Sequence, residues 1–339
     1  MHSSSAVAID TSIIMNRILQ KQSKIYVAGH RGLAGSALVR ELQKRGYGNI
    51  LTRTHGELDL TDQSAVRDFF DREQPAYVFL AAAKVGGILA NSTYPAEFIY
   101  QNLAIELNVI HSAWKTDVRR LLFLGSSCIY PRDCPQPMRE EYLLTGALES
   151  TNRPYAVAKI AGIEVCSAYN RQHGARYLAV MPTNLYGPGD TYDLENSHVL
   201  PALIRKMHEA KVQGQPNVIV WGTGAPRREF LYSDDLADAC VFLMELAEEP
   251  YRVLLQQGDA PIVNIGCGED LTILELAHEV ATVVGFRGGL VFDPSKPDGA
   301  PRKLLDVSRM RALGWSARIS LRSGLELSYQ DFLMRNAVV

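Results

Sequence analysis

The sequence has little net charge, few long apolar runs and little cysteine, and each shortage narrows the range of functions. Its 35 basic and 37 acidic residues leave a formal charge of -2, so no broad positive field exists to attract nucleic acid or an anionic membrane. Near the N-terminus, Asp10 interrupts the short apolar runs and no basic start precedes them, which argues against a signal peptide or a transmembrane span. We therefore expect neither nucleic acid nor a membrane as a partner, and we interpret residues 1–22 as a flexible extension.

Cysteine is scarce and lacks the spacing of a metal site or a disulfide framework. The cysteines form an odd set without a Cys-x-x-Cys pair: Cys128, Cys134, Cys166, Cys240 and Cys267. This pattern argues against both a zinc centre and a disulfide scaffold. We expect a reducing compartment, the cytoplasm, and no bound metal.

Internal repeats and low-complexity linkers are also missing from the sequence, whereas 339 residues suffice for a large core. The apolar fraction of 47% and the charged fraction of 21% are typical of a globular protein. These features predict one two-lobed enzyme or two modest domains.

A glycine-rich loop between a strand and a helix begins the informative part of the chain. The predicted strand covers residues 24–28 and the predicted helix residues 36–44. The glycines permit a tight turn and the helix N-terminus attracts a pyrophosphate, so this order indicates dinucleotide binding. The spacing is Gly-x-x-Gly-x-x-Gly rather than Gly-x-Gly-x-x-Gly, and a purely structural turn is the alternative. The predicted cofactor residues of the loop are Gly29, His30, Arg31, Gly32, Leu33, Ala34 and Gly35.

The end of the second predicted strand, residues 49–52, bears on the choice of cofactor. An enzyme that selects NAD would be expected to place an acid about twenty residues after the loop, where it binds the ribose hydroxyls. Arg53 stands there instead, and Arg31 lies within the loop. Two cations around a ribose 2′-phosphate favour NADP, whereas the alternative is a pair of surface arginines.

Strands and helices then alternate, which predicts a parallel, doubly wound α/β sheet of the Rossmann type. The predicted elements are a helix over 62–72, a strand over 76–80, a small-residue loop over 81–87, a helix over 95–114, a strand that ends at Ser126, and a strand over 177–180.

The most informative stretch lies between Leu121 and Lys159. A buried apolar strand ends at Gly-Ser126-Ser-Cys128, and a helix begins near Tyr155, because Thr151 and Asn152 are good cap residues, and continues to about Ala168. Tyr155 and Lys159 lie one turn apart on one helix face. The ammonium lowers the pKa of the phenol, so the pair can transfer a proton near neutral pH, and Ser126 can bind the same carbonyl oxygen. The alternative is a half-buried tyrosine beside a solvated lysine.

After residue 188 the pattern changes and predicts a smaller C-terminal α/β lobe for the substrate. We divide the chain into a cofactor domain over 23–188, with a returning segment over 231–265, and a substrate lobe over 189–230 and 266–339. The predicted later elements are helices over 198–210, 234–247, 273–284 and 321–334 and strands over 218–221, 263–266 and 290–292.

Long motifs from Lys24 to the last helix resemble the extended short-chain dehydrogenase/reductases, and within them the epimerase-reductases that form GDP-L-fucose. The motifs that carry the resemblance are residues 29–35, 80–87, 123–131, 154–162, 181–188, 196–199, 228–230 and 296–303.

The resemblance implies conversion of GDP-4-keto-6-deoxy-D-mannose to GDP-L-fucose. The C4 ketone acidifies the hydrogens on its neighbours, so Cys128 and His198 would invert C3 and C5 through an enolate held by Ser126 and Tyr155. Tyr155 would then protonate the C4 oxygen during hydride transfer from NADPH, while Lys159 lowers its pKa and binds the nicotinamide ribose. The alternatives are a packing role for Cys128 and a helix-start role for His198.

Binding residues and a homodimer also follow from the resemblance. Trp221 would stack on guanine, and cations would meet the diphosphate without a metal. The implied substrate residues are Asn184, Val199, Lys206, Trp221, Arg228 and Lys303. The further implied cofactor residues are Arg53, His55, Asp59, Leu60, Leu124, Gly125, Ser126, Ser127, Lys159, Pro182, Thr183, Asn184, Leu185 and His198.

Other functions remain on the same fold. A dehydratase would place an Asp-Glu pair where Ser127 and Cys128 stand, a 4-epimerase would be expected to select NAD, and a non-catalytic NADP sensor typically dispenses with the Tyr155 and Lys159 pair. A sister epimerase-reductase that acts on another GDP-keto-deoxyhexose is the alternative that the sequence leaves open.

Overall fold

The computed structural model describes residues 19–194 and 197–336. Its strands are β1 (Ile25–Ala28), β2 (Ile50–Leu51), β3 (Tyr77–Leu80), β4 (Arg120–Leu124), β5 (Tyr177–Pro182), β6 (Asn184–Tyr186), β7 (Asn217–Trp221), β8 (Arg227–Arg228), β9 (Phe230–Tyr232), β10 (Ile262–Ile265), β11 (Leu271–Thr272), β12 (Gly289–Asp293) and β13 (Arg302–Lys303). Its helices are α1 (Leu33–Lys44), α2 (Gln63–Glu73), α3 (Ile88–Thr93), α4 (Pro95–Lys115), α5 (Arg153–His173), α6 (Val199–Val212), α7 (Ser233–Glu245), α8 (Glu248–Gln256), α9 (Ile273–Val284), α10 (Ser308–Ala312) and α11 (Leu321–Asn336).

The largest sheet within the described residues is parallel and has the order β10-β5-β4-β3-β1-β2. From β1 the chain moves outward to β2 and then crosses to β3, so the order reverses between β1 and β3. Ligands of open α/β sheets bind at the carboxyl ends of the strands beside such a reversal. The predicted Rossmann-type fold is confirmed.

Helices cover both faces of this sheet. Helices α1 and α7 pack against each other on one face, and α2, α4 and α5 lie on the other. The strands between them are apolar on both sides; Val78 and Phe79, for example, are fully buried. Leu19, from the end of the predicted extension, packs into the core on the α1 face, and residues 1–18 lie outside the described part of the chain.

A second lobe has its own apolar cluster. The strands β7 and β12 pair in parallel, and α6, α9 and α11 pack around them through residues such as Met207, Leu276 and Leu325. A small sheet in which β8 lies between β11 and β13 connects this lobe to the end of β4. Within the described residues no helix has the length and apolar character needed to cross a membrane.

Most predicted elements are present, with shifted ends. Helix α1 begins at Leu33 instead of Ser36, because Gly32 already takes the extended cap conformation. Helix α5 continues five residues past the predicted Ala168 and stops at Gly174, which has a left-handed φ of +66°. The short elements α3, α8, α10, β6, β8, β9, β11 and β13 were not predicted, because tertiary packing rather than local periodicity defines them.

Asp190, where the chain leaves the Rossmann sheet, predicts a pH dependence of stability. Burial raises its pKa to about 7, Asp331 raises it further, and the Thr191 amide and Arg335 act in the opposite direction. Since the folded pKa exceeds the unfolded value of 3.8, ionised Asp190 destabilises the fold fully above about pH 7 and not at all below about pH 4. We expect Asp190→Asn to raise the melting temperature at pH 8 by roughly 2 °C or more.

Calorimetry at pH 8 and pH 4 measures this effect, with the exposed Asp68→Asn as the control. The gain at pH 8 should shrink toward zero at pH 4. An equal effect at both pH values would show that the charge of Asp190 is not responsible.

Candidate active site

The glycine loop between β1 and α1 allows close approach of the backbone. Gly29 has a φ of +85°, and an added Cβ would lie 2.6 Å from the amide nitrogen of Ala82, at the end of β3. A Cβ on Gly35 would overlap the carbonyl oxygen of Gly29. Gly32 precedes α1 without a side-chain cap, so the first amides of this helix are left for an anion. The loop therefore fits a pyrophosphate.

The arginines predicted to select NADP lie at this edge of the sheet. Arg53 is half-buried; it pairs with Glu73 at 3.0 Å, donates to the Thr52 carbonyl and lies over the ring of Phe69. Arg31 is exposed in the loop. A ligand phosphate would compete with Glu73 for Arg53, whereas the exposed Arg31 could bind the phosphate directly.

The next turn is ordered by its own hydrogen bonds. Asp59 accepts two hydrogen bonds from Thr61, which hold the pKa of Asp59 below its usual range. His55 is 84% exposed in its side chain and lies 3.8 Å from Asp59. Asn108 on α4 donates to the carbonyl oxygens of Leu60 and Thr61. The predicted cofactor residues here thus form a fixed rim of the cleft.

Ser126, Tyr155 and Lys159 meet at the end of β4. The Ser126 and Tyr155 hydroxyls share a hydrogen bond. Lys159 donates to the Leu124 carbonyl at 3.0 Å, and its Nζ lies 5.8 Å from the centre of the Tyr155 ring. The ring of Phe98 contacts Tyr155 edge-on. The structure thus brings the three predicted side chains together.

Acidic neighbours surround this tyrosine. Burial raises the pKa of Tyr155 well above its usual value, Cys128 and Glu106 raise it further, and the bond with Ser126 acts in the opposite direction. From the sequence alone we expect Lys159 to lower the pKa of Tyr155. In the structure Glu106 pairs with Lys159 at 3.1 Å and offsets that cation.

Cys128 lies in a single 3-10 turn over Ser127–Ile129 directly after the strand. Its backbone amide donates to Ser126 Oγ at 3.3 Å. Its Sγ accepts from Asn152 Nδ2 at 3.1 Å and from Lys303 Nζ at 3.6 Å. Two donors, one of them charged, therefore hold this sulfur at the end of the strand.

His198 is the N-cap residue of α6, and its side chain makes no capping hydrogen bond. The residue is exposed at the surface; partial desolvation of its ring lowers the pKa of His198, and the nearby Lys303 ammonium lowers it further. Since Lys303 also donates to Cys128, one ammonium acts on both predicted acid/base residues. A neutral imidazole near pH 7 can accept a proton.

The predicted nucleotide residues lie on the second lobe. Lys206 and Lys296 place their ammonium groups 5.1 and 5.3 Å from the ring centre of Trp221, which is 47% exposed. Arg228 pairs with Lys303 in the register of β8 and β13 and donates to the Asp298 carbonyl. Burial lowers the pKa of Arg228. An aromatic face and several cations therefore line one side of the cleft.

The remaining predicted residues are backbone-anchored parts of the cleft wall. Thr183 and Asn184 both donate to the Glu229 carbonyl, at 3.0 and 2.7 Å. Gly125 leaves room for Met181, since a Cβ there would lie 2.6 Å from its sulfur. The others lie at the ends of β4, β5 and β6 or at the start of α6: Leu124, Ser127, Pro182, Leu185 and Val199. Among the described residues, no cluster of His, Cys, Asp and Glu has the arrangement of a metal site.

The family model described as "NAD dependent epimerase/dehydratase family" matches residues 25–266, from the first strand of the sheet to the end of the last. The chain belongs to this family. That membership agrees with the resemblance to the extended short-chain dehydrogenase/reductases that the motifs carry.

Individual relatives show which members of the family the chain resembles. The chain is 58% identical to GDP-L-fucose synthase 1 of Arabidopsis thaliana over 93% of this chain and 94% of that protein. It is 57% identical to GDP-L-fucose synthase of Escherichia coli, over 92% and 97% of the two chains. A solved structure, the GDP-mannoheptose C4 reductase MlghC of Campylobacter jejuni with NADP bound, matches with a TM-score of 0.84 and 40% identity over 93% and 99% of the chains. The predicted resemblance to the enzymes that form GDP-L-fucose is thereby confirmed.

Two residues that contact the predicted catalytic side chains, Asn152 and Glu106, were not predicted as site residues. Asn152 was predicted as a helix cap, but its side chain donates to Cys128 instead. Glu106 was not predicted at all, although Phe98, Asn102, Glu106, Val109 and Ile110 recur at helical spacing and all of them are buried. An acid on the apolar face of a helix was the available signal, because such a residue is buried only with a partner.

Proposed function

We propose that this protein converts GDP-4-keto-6-deoxy-D-mannose to GDP-L-fucose, by epimerisation at C3 and C5 and NADPH-dependent reduction at C4. The observation that carries the proposal is the placement of Cys128 beside the Ser126 and Tyr155 hydroxyls, with the Lys303 ammonium acting on both Cys128 and His198. A simple reductase needs the hydroxyls and a lysine; it has no use for a second pair of proton-transfer groups. The identity of 57% to the E. coli enzyme over nearly the whole chain supports the same reaction.

Epimerisation uses the protein's own acid and base. Cys128, held by Asn152 and Lys303, removes the hydrogen next to the ketone, and His198 takes up a proton from solvent and returns it to the carbon from the other face. Cys128 then releases its proton to solvent. The Ser126 and Tyr155 hydroxyls stabilise the charge that develops on the C4 oxygen. Repetition at the second neighbour of the ketone inverts both centres.

Reduction then follows on the same carbonyl. NADPH supplies the hydride for C4 when bound. Tyr155 donates its phenolic proton to the C4 oxygen, and Ser126 keeps that oxygen in place. Lys159, fixed by the Leu124 carbonyl, is available to the nicotinamide ribose.

The nucleotide end of the substrate would lie against the second lobe. Trp221 is flanked by Lys206 and Lys296, so guanine can stack on its face while the diphosphate meets cations. Asn184, at the start of β6, and Val199, at the start of α6, would contact the sugar. Arg228 and Lys303 would complete the contact with the diphosphate.

Preference for NADPH is a testable part of the proposal. We expect Arg31→Ala to raise KM for NADPH by roughly 10-fold and KM for NADH by less than about 2-fold, because one charged hydrogen bond to phosphate is worth about 1.5 kcal/mol. Steady-state kinetics with both cofactors measure this. The control is Arg67→Ala, an exposed arginine on α2. An equal loss for both cofactors would place Arg31 away from the 2′-phosphate.

A second candidate is a sister epimerase-reductase that acts on another GDP-keto sugar. The specific observation in its favour is the 40% identity to MlghC, whose name gives it a GDP-mannoheptose as substrate. The wall of the cleft near C6 of the sugar would decide between the two. The higher identity to the GDP-L-fucose synthases favours the 6-deoxy sugar.

The test is turnover of the purified protein with synthetic candidates. GDP-4-keto-6-deoxy-D-mannose and a GDP-4-keto-heptose are compared at equal concentration, with the loss of NADPH absorbance as the signal and chromatography of the product. We expect GDP-L-fucose and at least a 10-fold higher kcat/KM for the 6-deoxy sugar. A preference for the heptose would favour the sister reaction, and no oxidation with either would contradict both.

The organisation of the molecule belongs to the proposal as well. The division into a cofactor domain over 23–188 with the return over 231–265, and a substrate lobe over 189–230 and 266–339, is supported by the pairing of β10 with β5 and by the separate cluster around α6 and α9. We also propose a homodimer formed through the long helices α4 and α5 and a cytoplasmic location, in line with five free thiols.

A further inference from the structure

A buried acid behind Lys159 has no part in the reaction described so far. The side chain of Glu106 is 1% exposed, and its Oε1 lies 3.1 Å from Lys159 Nζ. Neither carboxylate oxygen has a hydrogen-bond partner among the described residues, and Oε2 lies against Gly162, where an added Cβ would approach to 2.7 Å. An ionisable group is buried this completely only where a charge partner balances it.

Lys159 is in turn held from several sides. Its Nζ donates to the Leu124 carbonyl at 3.0 Å, pairs with Glu106 and lies 4.6 Å from the centre of the Phe123 ring. An ammonium has three N–H donors; the Leu124 carbonyl accepts one and Glu106 Oε1 lies at ion-pair distance, so a donor remains for the nicotinamide ribose. The position of that donor depends on Glu106.

The charge of Glu106 also acts on Tyr155. A lone ammonium beside a phenol favours the phenolate, whereas a carboxylate beside it favours the phenol. Reduction of a ketone needs the phenol, because the proton on the C4 oxygen comes from it. We propose that Glu106 is a positioning residue that fixes the Lys159 ammonium and offsets its charge, so that Tyr155 stays in the proton-donating form. This inference rests on the proposed function.

The neighbouring titratable groups agree with this role. Burial raises the pKa of Glu106 to about 7, while Lys159 lowers it. The other titratable groups that face the pair are Cys166 and Tyr155 on α5, and Cys128 faces Tyr155 from the 3-10 turn. Glu106 is therefore ionised at alkaline pH, the range in which a phenol beside a lysine would otherwise lose its proton.

Glu106→Gln tests the inference, because it keeps the shape and removes the charge. We expect the alkaline limb of kcat for NADPH oxidation to move down by about one pH unit, the usual size of a neighbouring-charge effect. KM for NADPH should rise about threefold, and kcat at pH 6.5 should stay within about threefold of wild type. Glu41→Gln, a buried acid paired with Arg45 far from the cleft, is the matched control and should leave the limb in place.

Two further variants of Glu106 separate an effect of its charge from an effect of its shape or of folding. Glu106→Asp keeps the charge and should restore the limb to within about 0.3 pH units of wild type. If Glu106→Gln does not fold, Glu106→Met also removes the charge, with a side chain suited to an apolar site. The alkaline limb of its kcat profile should then move down in the same way.

If the alkaline limb of kcat does not move in Glu106→Gln, or if the rate falls equally at every pH, the inference is overturned and Glu106 has only a structural role. Failure of the wild type to oxidise NADPH with the keto sugar would instead contradict the proposed function itself.

Discussion

Replacing Tyr155 by phenylalanine is expected to lower NADPH oxidation by roughly 10²–10⁴-fold, the usual contribution of a general acid. The hydroxyl is the group that shares a hydrogen bond with Ser126 and donates the proton to the C4 oxygen. Phenylalanine keeps the ring and its contact with Phe98, so the fold and the affinity for NADPH should change little. Stopped-flow absorbance measures the rate, and fluorescence titration measures NADPH binding.

The control for this variant is Tyr169→Phe on the same helix, which removes a hydrogen bond to His111 away from the cleft. It should turn over at close to the wild-type rate. A Tyr155→Phe protein with normal turnover would remove Tyr155 as the proton donor. Loss of NADPH binding together with turnover would show instead that the ring supports the cofactor site.

Replacing Cys128 by serine is expected to slow the exchange of solvent deuterium into C3 and C5 by roughly 10²–10⁴-fold. A serine hydroxyl is a much weaker acid than a thiol, so it ionises far less beside Asn152 and Lys303. Its similar shape should leave the substrate affinity within a few-fold of wild type. NMR of the sugar in heavy water without cofactor measures exchange apart from reduction.

Cys134→Ser is the matched control, since Cys134 is also a half-buried free cysteine and lies only six residues further along the chain. Its exchange rates should equal those of the wild type. Unchanged exchange in Cys128→Ser would return Cys128 to a packing role, and a loss at one carbon only would show that the two centres use different bases.

The sequence predicted those parts of the site that are local in the chain. The glycine loop precedes α1, and Tyr155 and Lys159 lie one turn apart on one helix; in both cases a few neighbouring residues determine the geometry. The parallel sheet followed from the alternation of buried strands with helices, because parallel strands need crossovers. These predictions needed no knowledge of distant contacts.

Contacts between distant segments were beyond local patterns. Lys303 reaches Cys128 only because β13 pairs with β8, a pairing of two residues that has no periodic signal. Glu106 and Lys159 are brought together by the packing of α4 on α5. From the spacing on one helix we therefore expect Lys159 to lower the pKa of Tyr155, whereas the structure shows the Glu106 carboxylate, which raises it. Charge balance inside a core depends on tertiary partners, which spacing along one helix does not reveal.

We expect one cleft to perform both epimerisation and reduction on a GDP-4-keto sugar. The most direct measurement is incubation of the protein with GDP-4-keto-6-deoxy-D-mannose and NADPH in heavy water, followed by NMR of the product. We expect oxidation of NADPH and deuterium at both C3 and C5 of GDP-L-fucose. Oxidation of NADPH with no deuterium at these carbons would contradict the account, because Cys128 and His198 would then have no reaction to catalyse.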